Sequence, residues 1–265
     1  MQANSDGLSP SLRPFLGIGW NRALRAPFGF GNGIVPDGSN DYLLIPGLVG
    51  QTWPIEGTIE LWVSVQSARG QRELEITFND GRKLRLTASQ PIPLLEVTGS
   101  AQPYAAAPNG IYNYGSKYHC AYMWDATKTY AWGNAVMPNT ILGNATSGIN
   151  ANINLVITGA ALCGQVDGFL CSTSKLDEVR FYNRKLTIDE LVLNDNSGIG
   201  NNPSDTENLF GWYTFEQFET LDFSALQDNS DLRLGVRDMS GHNHHAQAKN
   251  MDTNGASGGY VLKPF

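Results

Sequence analysis

The feature that most constrains this chain is a pair of alternating segments joined by a tight turn. Apolar residues occupy every second position between Glu73 and Phe78, and the same alternation returns over residues 83–87. The turn between them is Asn79-Asp80-Gly81, and Asp-Gly tolerates the positive φ angles that a tight hairpin needs. A period of two places the apolar side chains on one face of each strand. The sequence therefore predicts a β-hairpin with one buried face.

The outward face of this hairpin carries opposite charges on its two strands. Glu73 and Glu75 lie on the first strand, and Lys83 and Arg85 lie on the second. Opposite charges across a strand pair attract, so we expect salt bridges between the two strands. We therefore interpret the two glutamates as part of a solvated, salt-bridged face and not as catalytic groups.

Short segments of the same kind recur along the chain. They predict strands at residues 58–65, 118–124, 129–132, 153–157, 175–182, 210–215, 232–236 and 245–249, while residues 90–117 are predicted to form a long loop. One short helix is predicted after Thr187, because Thr187 and Glu190 have the spacing of a capping box. Many short strands with a single helix predict an all-β fold, a β-sandwich.

The chain is predicted to form one domain behind an extended arm. Residues 1–33 show no helical or strand period but contain apolar segments, so they form either a packed terminal loop or an arm on a neighbouring subunit. Residues 34–265 form the sandwich. Its main body is 34–195, a polar linker covers 196–208, and residues 209–265 supply the closing strands.

Charge and hydropathy exclude two classes of partner. The net charge is −7 and only 16% of the residues are charged, which is unsuited to tracking nucleic-acid phosphates or anionic membrane surfaces. The N-terminus lacks the basic and apolar regions of a secretory signal, and the most apolar stretch, residues 153–164, is too short to span a bilayer. We expect no nucleic-acid partner and no membrane insertion.

The three cysteines show no metal-binding or redox spacing. A C-x-x-C pair is absent. Cys163 and Cys171 are close enough in sequence to bridge a short loop, but we interpret all three as small buried thiols. His119 and Cys120 are adjacent and therefore point to opposite faces of a strand, so they do not form a catalytic dyad.

Several phrases resemble laminin-G-like modules of the concanavalin A-like lectin/glucanase superfamily. They are Asp37-Gly38-Ser39-Asn40-Asp41-Tyr42, the strand Gly57-Thr58-Ile59-Glu60-Leu61-Trp62-Val63, the run from Tyr118 to Asn134, and Leu176-Asp177-Glu178-Val179-Arg180-Phe181-Tyr182-Asn183-Arg184. The last is similar to the family pattern I-D-E-V-R-I-Y-N-R. The resemblance implies a concanavalin A-like jelly-roll β-sandwich of two antiparallel sheets with one short helix.

One departure from the family pattern predicts a circular permutation. A phrase W-x-F-D followed by D-x-S-G-x-x-x-H opens these modules, whereas here Trp212-Tyr213-Thr214-Phe215 and Asp238-Met239-Ser240-Gly241 come near the end. We predict that Trp212 and Phe215 contact the sheet that contains Val179 and Phe181. The alternative is a second, truncated module that begins near residue 209.

The sequence predicts binding rather than catalysis. The glucanase branch of this superfamily hydrolyses glycans with a strand reading E-x-D-x-x-E, and this chain has no such spacing. The patterns G-x-S-x-G, H-E-x-x-H and the P-loop are also absent from the sequence. We therefore expect that the chain is not an enzyme.

Two sets of residues are candidate binding sites. Glycan binding needs aromatic platforms beside hydrogen-bonding side chains, and the candidates are Tyr104, Tyr112, Tyr114, and Trp132 beside Asn134. The alternative for these aromatics is a place in the core or at a subunit contact. Calcium is the one cofactor left open, at Asp37, Asp41 and Asp238, with polar turns as the alternative. His242, His244 and His245 are interpreted as a loop that binds its own backbone and not as a metal site.

These inferences favour a non-catalytic structural or binding protein, and two versions of it. The first is a bacteriophage virion component, such as a capsid decoration, fibre or tail-associated protein. It would assemble in the host cytoplasm, contact other subunits through residues 1–33 and bind a host cell-surface glycan. The alternative is a glycan-binding module of a bacterial surface or secreted protein.

Overall fold

The alternating segments of the sequence form two antiparallel β-sheets that stack on each other, as the all-β prediction requires. The computed structural model describes residues 32–67, 71–88, 94–98, 104–105, 113–134, 145–147, 151–196, 199–223, 232–251 and 261–264. Most of residues 1–33, the predicted arm, lie outside these ranges. The first described strand already begins at Asn32, inside that predicted arm.

The regular elements of the described residues are seventeen strands, a 3₁₀ turn and a helix. The strands, in chain order, are β1 Asn32–Val35, β2 Tyr42–Leu44, β3 Gly57–Ser64, β4 Gln71–Phe78, β5 Lys83–Ala88, β6 Leu94–Val97, β7 Tyr104–Ala105, β8 Tyr118–Trp124, β9 Thr129–Asn134, β10 Ala145–Ser147, β11 Ile157–Leu162, β12 Lys175–Tyr182, β13 Leu209–Tyr213, β14 Glu219–Asp222, β15 Leu232–Val236, β16 Ala246–Lys249 and β17 Val261–Pro264. The 3₁₀ turn covers Pro46–Leu48, and the helix α1 covers Ile188–Asp195.

The strands divide between the two sheets in a crossed order. Sheet A has the order β10-β9-β8-β3-β12-β1-β17, with β13 also paired to β12. Sheet B has the order β14-β15-β16-β2-β11-β4-β5-β6-β7. Neighbouring strands in these sheets often come from distant parts of the sequence, and their apolar faces form one core between the sheets.

The predicted hairpin is confirmed as β4 and β5. Gly81 adopts a φ of +85° at its turn, a conformation that glycine reaches at low cost. Leu74 and Ile76 of β4 and Leu86 of β5 are buried in the core. Their alternation with polar residues leaves a charged outer face on sheet B.

The core between the sheets is held by large apolar side chains. Trp53 and Trp124 stack at a ring-centroid distance of 5.1 Å, and both are fully buried. Burying a side chain of this size contributes about 3 kcal/mol to folding. The indole N–H of Trp124 donates to the carbonyl oxygen of Pro54 at 3.0 Å, so its polar atom is satisfied as well.

The helix α1 covers the outer face of sheet A. Its capping box is present as predicted, since the Thr187 side chain accepts from the backbone N–H of Glu190 and the Glu190 side chain accepts from that of Thr187. Leu191 of the helix packs against a second apolar cluster that contains Met123 and Trp132. This outer layer buries one face of β8 and β9 that a two-sheet sandwich would otherwise expose.

The closing strand β13 pairs with β12, where the sequence pattern placed it. Trp212 lies opposite Arg180, and Tyr213 lies opposite Val179. Phe215 belongs to the core cluster that also contains Phe181. The predicted contact is confirmed, and the circular permutation that motivated it stays a prediction.

Two local predictions differ from the structure. The buried strand expected at residues 153–157 lies at Ile157–Leu162 instead, and residues 151–155 form no strand. Within this strand, position 159 has room only for glycine, because Val166 and Thr77 occupy the space that a Cβ atom would need. The loop predicted over residues 90–117 contains the strands β6 and β7, which extend sheet B.

Candidate functional site

The structure describes part of the set of residues predicted to bind a glycan. Tyr104 lies on β7, at the register position opposite Glu96 of sheet B. Tyr114 is exposed in the turn before β8. Tyr112 lies outside the described residues, and Asn134 ends β9 opposite His119. The strand β7 lies near β9, and Tyr112 is not described, so a shared platform stays a prediction.

Trp132 is not a surface platform, which corrects that part of the prediction. Only 3% of its surface is exposed, because α1 and Leu186 cover the outer face of sheet A at β9. Its ring meets the ring of His119 edge to face at a centroid distance of 4.9 Å. The sequence showed an aromatic residue on an outward-facing position, but it did not show that a helix covers this face.

Asp238 organises a loop through its own hydrogen bonds. Its carboxylate accepts from the backbone N–H groups of Trp212, Ser240 and His244 at 2.9, 2.9 and 3.0 Å, and from the Ser240 hydroxyl at 2.8 Å. Four donors occupy both carboxylate oxygens. This geometry is that of a structural turn that ties β13 to the loop before β16.

The loop with His242, His244 and His245 is also held by hydrogen bonds to backbone groups. The Nδ1 atom of His244 lies 2.8 Å from the carbonyl oxygen of Phe210, and Nδ1 of His245 accepts from the backbone N–H of Asp238. His242 stacks on His244 at 5.8 Å. The loop therefore binds its own backbone, which agrees with the interpretation made from the sequence.

Asp37 and Asp41 shape a turn before β2. Asp37 Oδ1 accepts from the backbone N–H of Ser39 at 2.7 Å, and Asp41 Oδ2 accepts from that of Asp37 at 3.2 Å. Burial raises the pKa of the Asp41 carboxyl to about 6. Among the residues that the structure describes, no three His, Cys, Asp or Glu side chains are grouped so that they could hold a metal ion.

A loop that the sequence patterns did not single out crosses the outer face of sheet B. It runs from Cys163 to Ser174, between β11 and β12. The backbone N–H of Val166 donates to Oε1 of Glu75 at 3.3 Å, and Val166 also packs where Gly159 has no side chain. The loop is therefore fixed to the outer face of the sheet at β4 and β11.

The tip of this loop exposes two apolar side chains. Phe169 is 68% exposed and Leu170 is 48% exposed. The backbone holds the tip in place, since the N–H of Gln165 donates to the Phe169 carbonyl and the N–H of Arg72 donates to the Leu170 carbonyl, each at 2.9 Å. Phe169 is thus an exposed aromatic ring on an ordered loop.

Gly168 brings the tip against the turn before β2. It has a φ of +82°, and a Cβ atom at this position would lie 3.0 Å from the ring of Tyr42. Burial raises the pKa of Tyr42, with a further contribution from the charge of Asp167. Tyr42 and Asp167 therefore lie close together, and the Asp37–Asp41 turn leads into the same end of β2.

A network of charges lies on the same face of sheet B, on β4, β5 and β6. Glu75 is buried and accepts from Nε of Arg85 at 2.8 Å and from Nζ of Lys83 at 3.4 Å, which confirms the cross-strand pairing predicted for it. Arg72 and Arg85 each lie within 4 Å of Glu96. We call the loop Asp167–Leu170, the turn Asp37–Tyr42 and the side chains of Arg72, Arg85 and Glu96 the tip surface.

Glu73, like Glu75, is buried and so differs from the prediction that both belong to a solvated face. Its carboxylate is fully buried. Its Oε1 atom accepts from the hydroxyls of Ser172 at 3.1 Å and Ser174 at 2.7 Å. Glu73 therefore anchors the end of the Cys163–Ser174 loop, a role that only the tertiary fold reveals.

A second polar cluster lies under α1 and is closed to solvent. Glu60, His119 and Arg180 are all at most 2% exposed. Burial alone would raise the pKa of Glu60, but Arg180 and His119 outweigh it and lower this pKa to about 2. Because this cluster is sealed by the helix, the exposed tip surface is the better candidate for binding a ligand.

The sequence profile of one family covers more than half of the chain. The profile Laminin_G_3, described as the concanavalin A-like lectin/glucanases superfamily, matches residues 37–192. This chain belongs to that superfamily. The matched range includes the Asp37–Tyr42 turn, the Cys163–Ser174 loop and the start of α1, so the tip surface lies within the superfamily region.

Solved structures of the superfamily fold are similar to this chain at low identity. A candidate carbohydrate binding protein from Bacteroides ovatus aligns with a TM-score of 0.58 and 18% identity, over 90% of this chain and 61% of that one. A heptameric pentraxin from Limulus polyphemus aligns with a TM-score of 0.46 and 14% identity, over 66% of this chain and 85% of that one. At this identity the likeness shows the fold alone.

A tailspike protein of a bacteriophage is also among the similar structures. Tailspike protein 2 from Escherichia coli O157:H7 bacteriophage CAB120 aligns with a TM-score of 0.46 and 14% identity, over 74% of this chain and 31% of that one. No curated protein matches the sequence at a significant level. Within the described residues, no helix is both long and apolar enough to cross a membrane.

Proposed function

We propose that this chain is a non-catalytic glycan-binding protein that holds its ligand at the tip surface. The observation that carries the proposal is the exposed ring of Phe169, fixed by backbone hydrogen bonds on a lectin-type sandwich. An exposed aromatic ring offers an apolar face to the C–H groups of a sugar. Glycan binding of this kind needs such a platform with polar side chains beside it.

A neighbour of Phe169 supplies a polar group for such a site. The Oδ1 atom of Asp167 accepts from the backbone N–H of Phe169 at 3.1 Å, and a carboxylate in this place also accepts hydrogen bonds from sugar hydroxyls. Leu170 adopts a φ of +49°, in the left-handed region that a non-glycine residue reaches only at a cost. Backbone strain of this kind is concentrated at ligand-binding loops, which supports a binding role for the tip.

The pairing of Glu75, beside the tip surface, supports binding rather than hydrolysis. A glycosidase needs one carboxylic acid kept protonated and a second carboxylate free to act as nucleophile or base. Glu75, a buried carboxylate of this face, is engaged by Arg85, Lys83 and a backbone N–H. Together with the absence of the glucanase motif from the sequence, this pairing favours a non-enzymatic protein.

A glycan array with the full chain tests this proposal. We expect binding that Phe169→Ala weakens roughly tenfold or more, because a ligand that covers the exposed Phe169 ring would gain about 1.5–3 kcal/mol from its burial. Leu193→Ala is the matched control, since Leu193 is 55% exposed on α1, away from the tip surface. Tyr114→Ala tests the platform that the sequence predicted. A loss with Tyr114→Ala but not with Phe169→Ala would refute the tip surface as the site.

We propose a bacteriophage particle as the setting of this binding, with a bacterial surface or secreted protein as the alternative. The support is the apolar sequence of residues 1–33, which suits an arm on a neighbouring subunit. The solution mass of the full chain, beside a variant that lacks residues 1–30, tests it. Assembly of the full chain alone would support the particle, and two stable monomers would refute the arm as an assembly device.

A further inference from the structure

We propose that Asp177 and Glu216 form a binding site for a guanidinium group of the same chain. The group comes from Arg22 or Arg25, so that the site anchors the base of the predicted N-terminal arm on the outer face of sheet A. The more distal residues of the arm remain for the neighbouring subunit proposed above. The contact does not depend on glycan binding at the tip surface, which lies on sheet B.

A bulge in β12 turns two acidic side chains to the outer face of sheet A. The register between β12 and β3 shifts between Asp177 and Arg180. Leu176 and Val179 both belong to the core between the sheets. The two residues between them, Asp177 and Glu178, therefore point away from that core. The bulge thus places two carboxylates side by side.

Asp177 is the member of this pair with an unsatisfied oxygen. Only 1% of its surface is exposed. Its Oδ1 atom accepts from the backbone N–H of Glu178 at 2.8 Å, whereas its buried Oδ2 atom has no hydrogen-bond partner among the residues that the structure describes. Glu178, in contrast, accepts from Arg180 at 2.9 Å and from the indole N–H of Trp212 at 2.6 Å. Buried carboxylate oxygens are rarely left unpaired, so Oδ2 of Asp177 is placed to accept from a further donor.

The charges around Asp177 favour a cationic donor. Burial and the negative charges of Glu178 and Glu216 raise the pKa of Asp177 well above its ordinary value of 3.8, while Arg180 lowers it. Arg180 already binds two buried glutamates. Lys117 interacts with the charge of Asp177 but donates no hydrogen bond to its Oδ2 atom. A further guanidinium would supply both a positive charge and a fork of N–H donors.

The N-terminal segment joins the fold at this site. One edge of β12 pairs with β1 at Leu176 and with β13 from Val179 onward, so the two partner strands meet beside the bulge. Asn32, the first residue of β1, donates from its backbone N–H to the Glu216 carboxylate at 3.3 Å and from its side chain to the Glu216 carbonyl at 3.4 Å. The chain before Asn32 therefore connects to the fold next to Asp177 and Glu216.

The sequence before Asn32 carries suitable groups. Residues 1–31, which lie outside the described residues, contain three arginines, Arg13, Arg22 and Arg25, and one acidic residue. Their net charge is therefore +2, whereas the whole chain has −7. Arg25 lies seven residues before Asn32 and Arg22 lies ten residues before it, which allows a reach of at most about 25 Å and 35 Å. The residues between contain one proline and two glycines, which suit a reversal of the chain.

A double-mutant cycle in the full chain tests the contact. Asp177→Asn keeps an oxygen for the Glu178 N–H but removes the charge, and a joint Arg22→Gln and Arg25→Gln variant removes both guanidinium groups. We expect the arginine substitutions to lower the melting temperature by roughly 5 °C in the parent chain and by less than about 1 °C in Asp177→Asn. The reason is that removing one member of a buried ion pair is costly only while the other member is charged. Equal losses in the two backgrounds, or no loss in the parent chain, would overturn the proposal.

Two controls separate this contact from a general effect of charge. Arg13→Gln should act equally in the parent chain and in Asp177→Asn, and a difference there would overturn the assignment to the other two arginines. Glu219→Gln removes a carboxylate of β14 that Arg237 already binds, so it should not change the effect of the arginine substitutions. Glu216→Gln is the second background in case Asp177→Asn does not fold, and it should reduce that effect by roughly half. An undiminished effect in Glu216→Gln would count against the site.

Limited proteolysis with chymotrypsin tests the anchoring of the arm directly. This protease cleaves after aromatic residues, and Phe28 and Phe30 lie close to the base of the arm in every variant. We expect cleavage there to be roughly tenfold faster in Asp177→Asn than in the parent chain, because proteolysis follows the population of the open form. Equal rates would overturn the anchor. The rates should also be the same at roughly 1 μM and 100 μM protein, whereas protection that grows with concentration would overturn the assignment to the same chain.

Discussion

The ring of His119 stacks on the ring of Trp62 with 3.6 Å between their centroids and 9° between their planes. The two nitrogens of the same imidazole reach Glu60 at 2.7 Å and Asp195 at 3.2 Å. Glu60 lies on β3 and Asp195 ends α1, so this one histidine ties the helix to the sheet. Cys120 points the other way into the core, as strand alternation requires.

The Glu60 cluster predicts a loss of stability in acid. The pKa of Glu60 in the folded chain, about 2, lies below its ordinary value of 4.5. The stabilisation is therefore present above pH 4.5 and is lost as the pH falls through 2, with a total of about 3 kcal/mol. Urea unfolding at several pH values measures it. Glu60→Gln should flatten this part of the profile, whereas Glu190→Gln, at a half-exposed salt bridge, should change it less. An unchanged profile in Glu60→Gln would contradict this role of the cluster.

His119→Ala should destabilise the chain by about 2–4 kcal/mol. The change removes the ring stacked on Trp62 and leaves the buried carboxylate of Glu60 with one partner fewer. The free energy of unfolding in urea measures the effect. His242→Ala, at an exposed histidine, is the control and should stay within about 0.5 kcal/mol of the parent chain. Equal effects of the two substitutions would mean that His119 is not the link between helix and sheet.

Asp238→Ala separates a structural turn from a calcium site. The carboxylate accepts four hydrogen bonds from Trp212, Ser240 and His244, so its loss should cost about 2–3 kcal/mol. This cost should be the same with calcium and with a chelator. A cost that appears only when calcium is present would support the sequence prediction of calcium at Asp37, Asp41 and Asp238.

Gly168→Ala tests the packing contact between the loop tip and the Tyr42 ring. Both Gly168 and Gly81 have positive φ angles, but a Cβ atom would meet the Tyr42 ring at Gly168 and nothing within 4 Å at Gly81. Each alanine should cost about 1 kcal/mol of stability through its backbone. Only Gly168→Ala should also displace the tip and weaken glycan binding. Equal binding by the two variants would show that the tip does not depend on this contact.

The elements that the sequence predicted correctly are those with local signals. The hairpin follows from alternation and an Asp-Gly turn, and α1 follows from the Thr187–Glu190 spacing. The pairing of Glu75 with Arg85 followed from their register in that hairpin. Such features need only a few neighbouring residues, and a sequence displays these directly.

The features that the sequence missed depend on what other parts of the chain cover. Trp132 occupies an outward-facing position, but α1 buries it. Phe169 was not singled out from the sequence, because only the tertiary fold carries its loop across the outer face of sheet B and leaves the ring exposed. The Asp167-Gly168 pair was the available signal, because Asp-Gly predicts a turn. Phe169 is the next residue and therefore lies at the tip of a loop.

Calorimetric titration of the best glycan of the array into the full chain, Phe169→Ala and Leu193→Ala tests the central claim most directly. The two substitutions remove exposed apolar side chains, one at the tip surface and one on α1. We expect Phe169→Ala to raise the dissociation constant by roughly tenfold or more, while Leu193→Ala leaves it unchanged. Equal dissociation constants for all three proteins would contradict glycan binding at the tip surface.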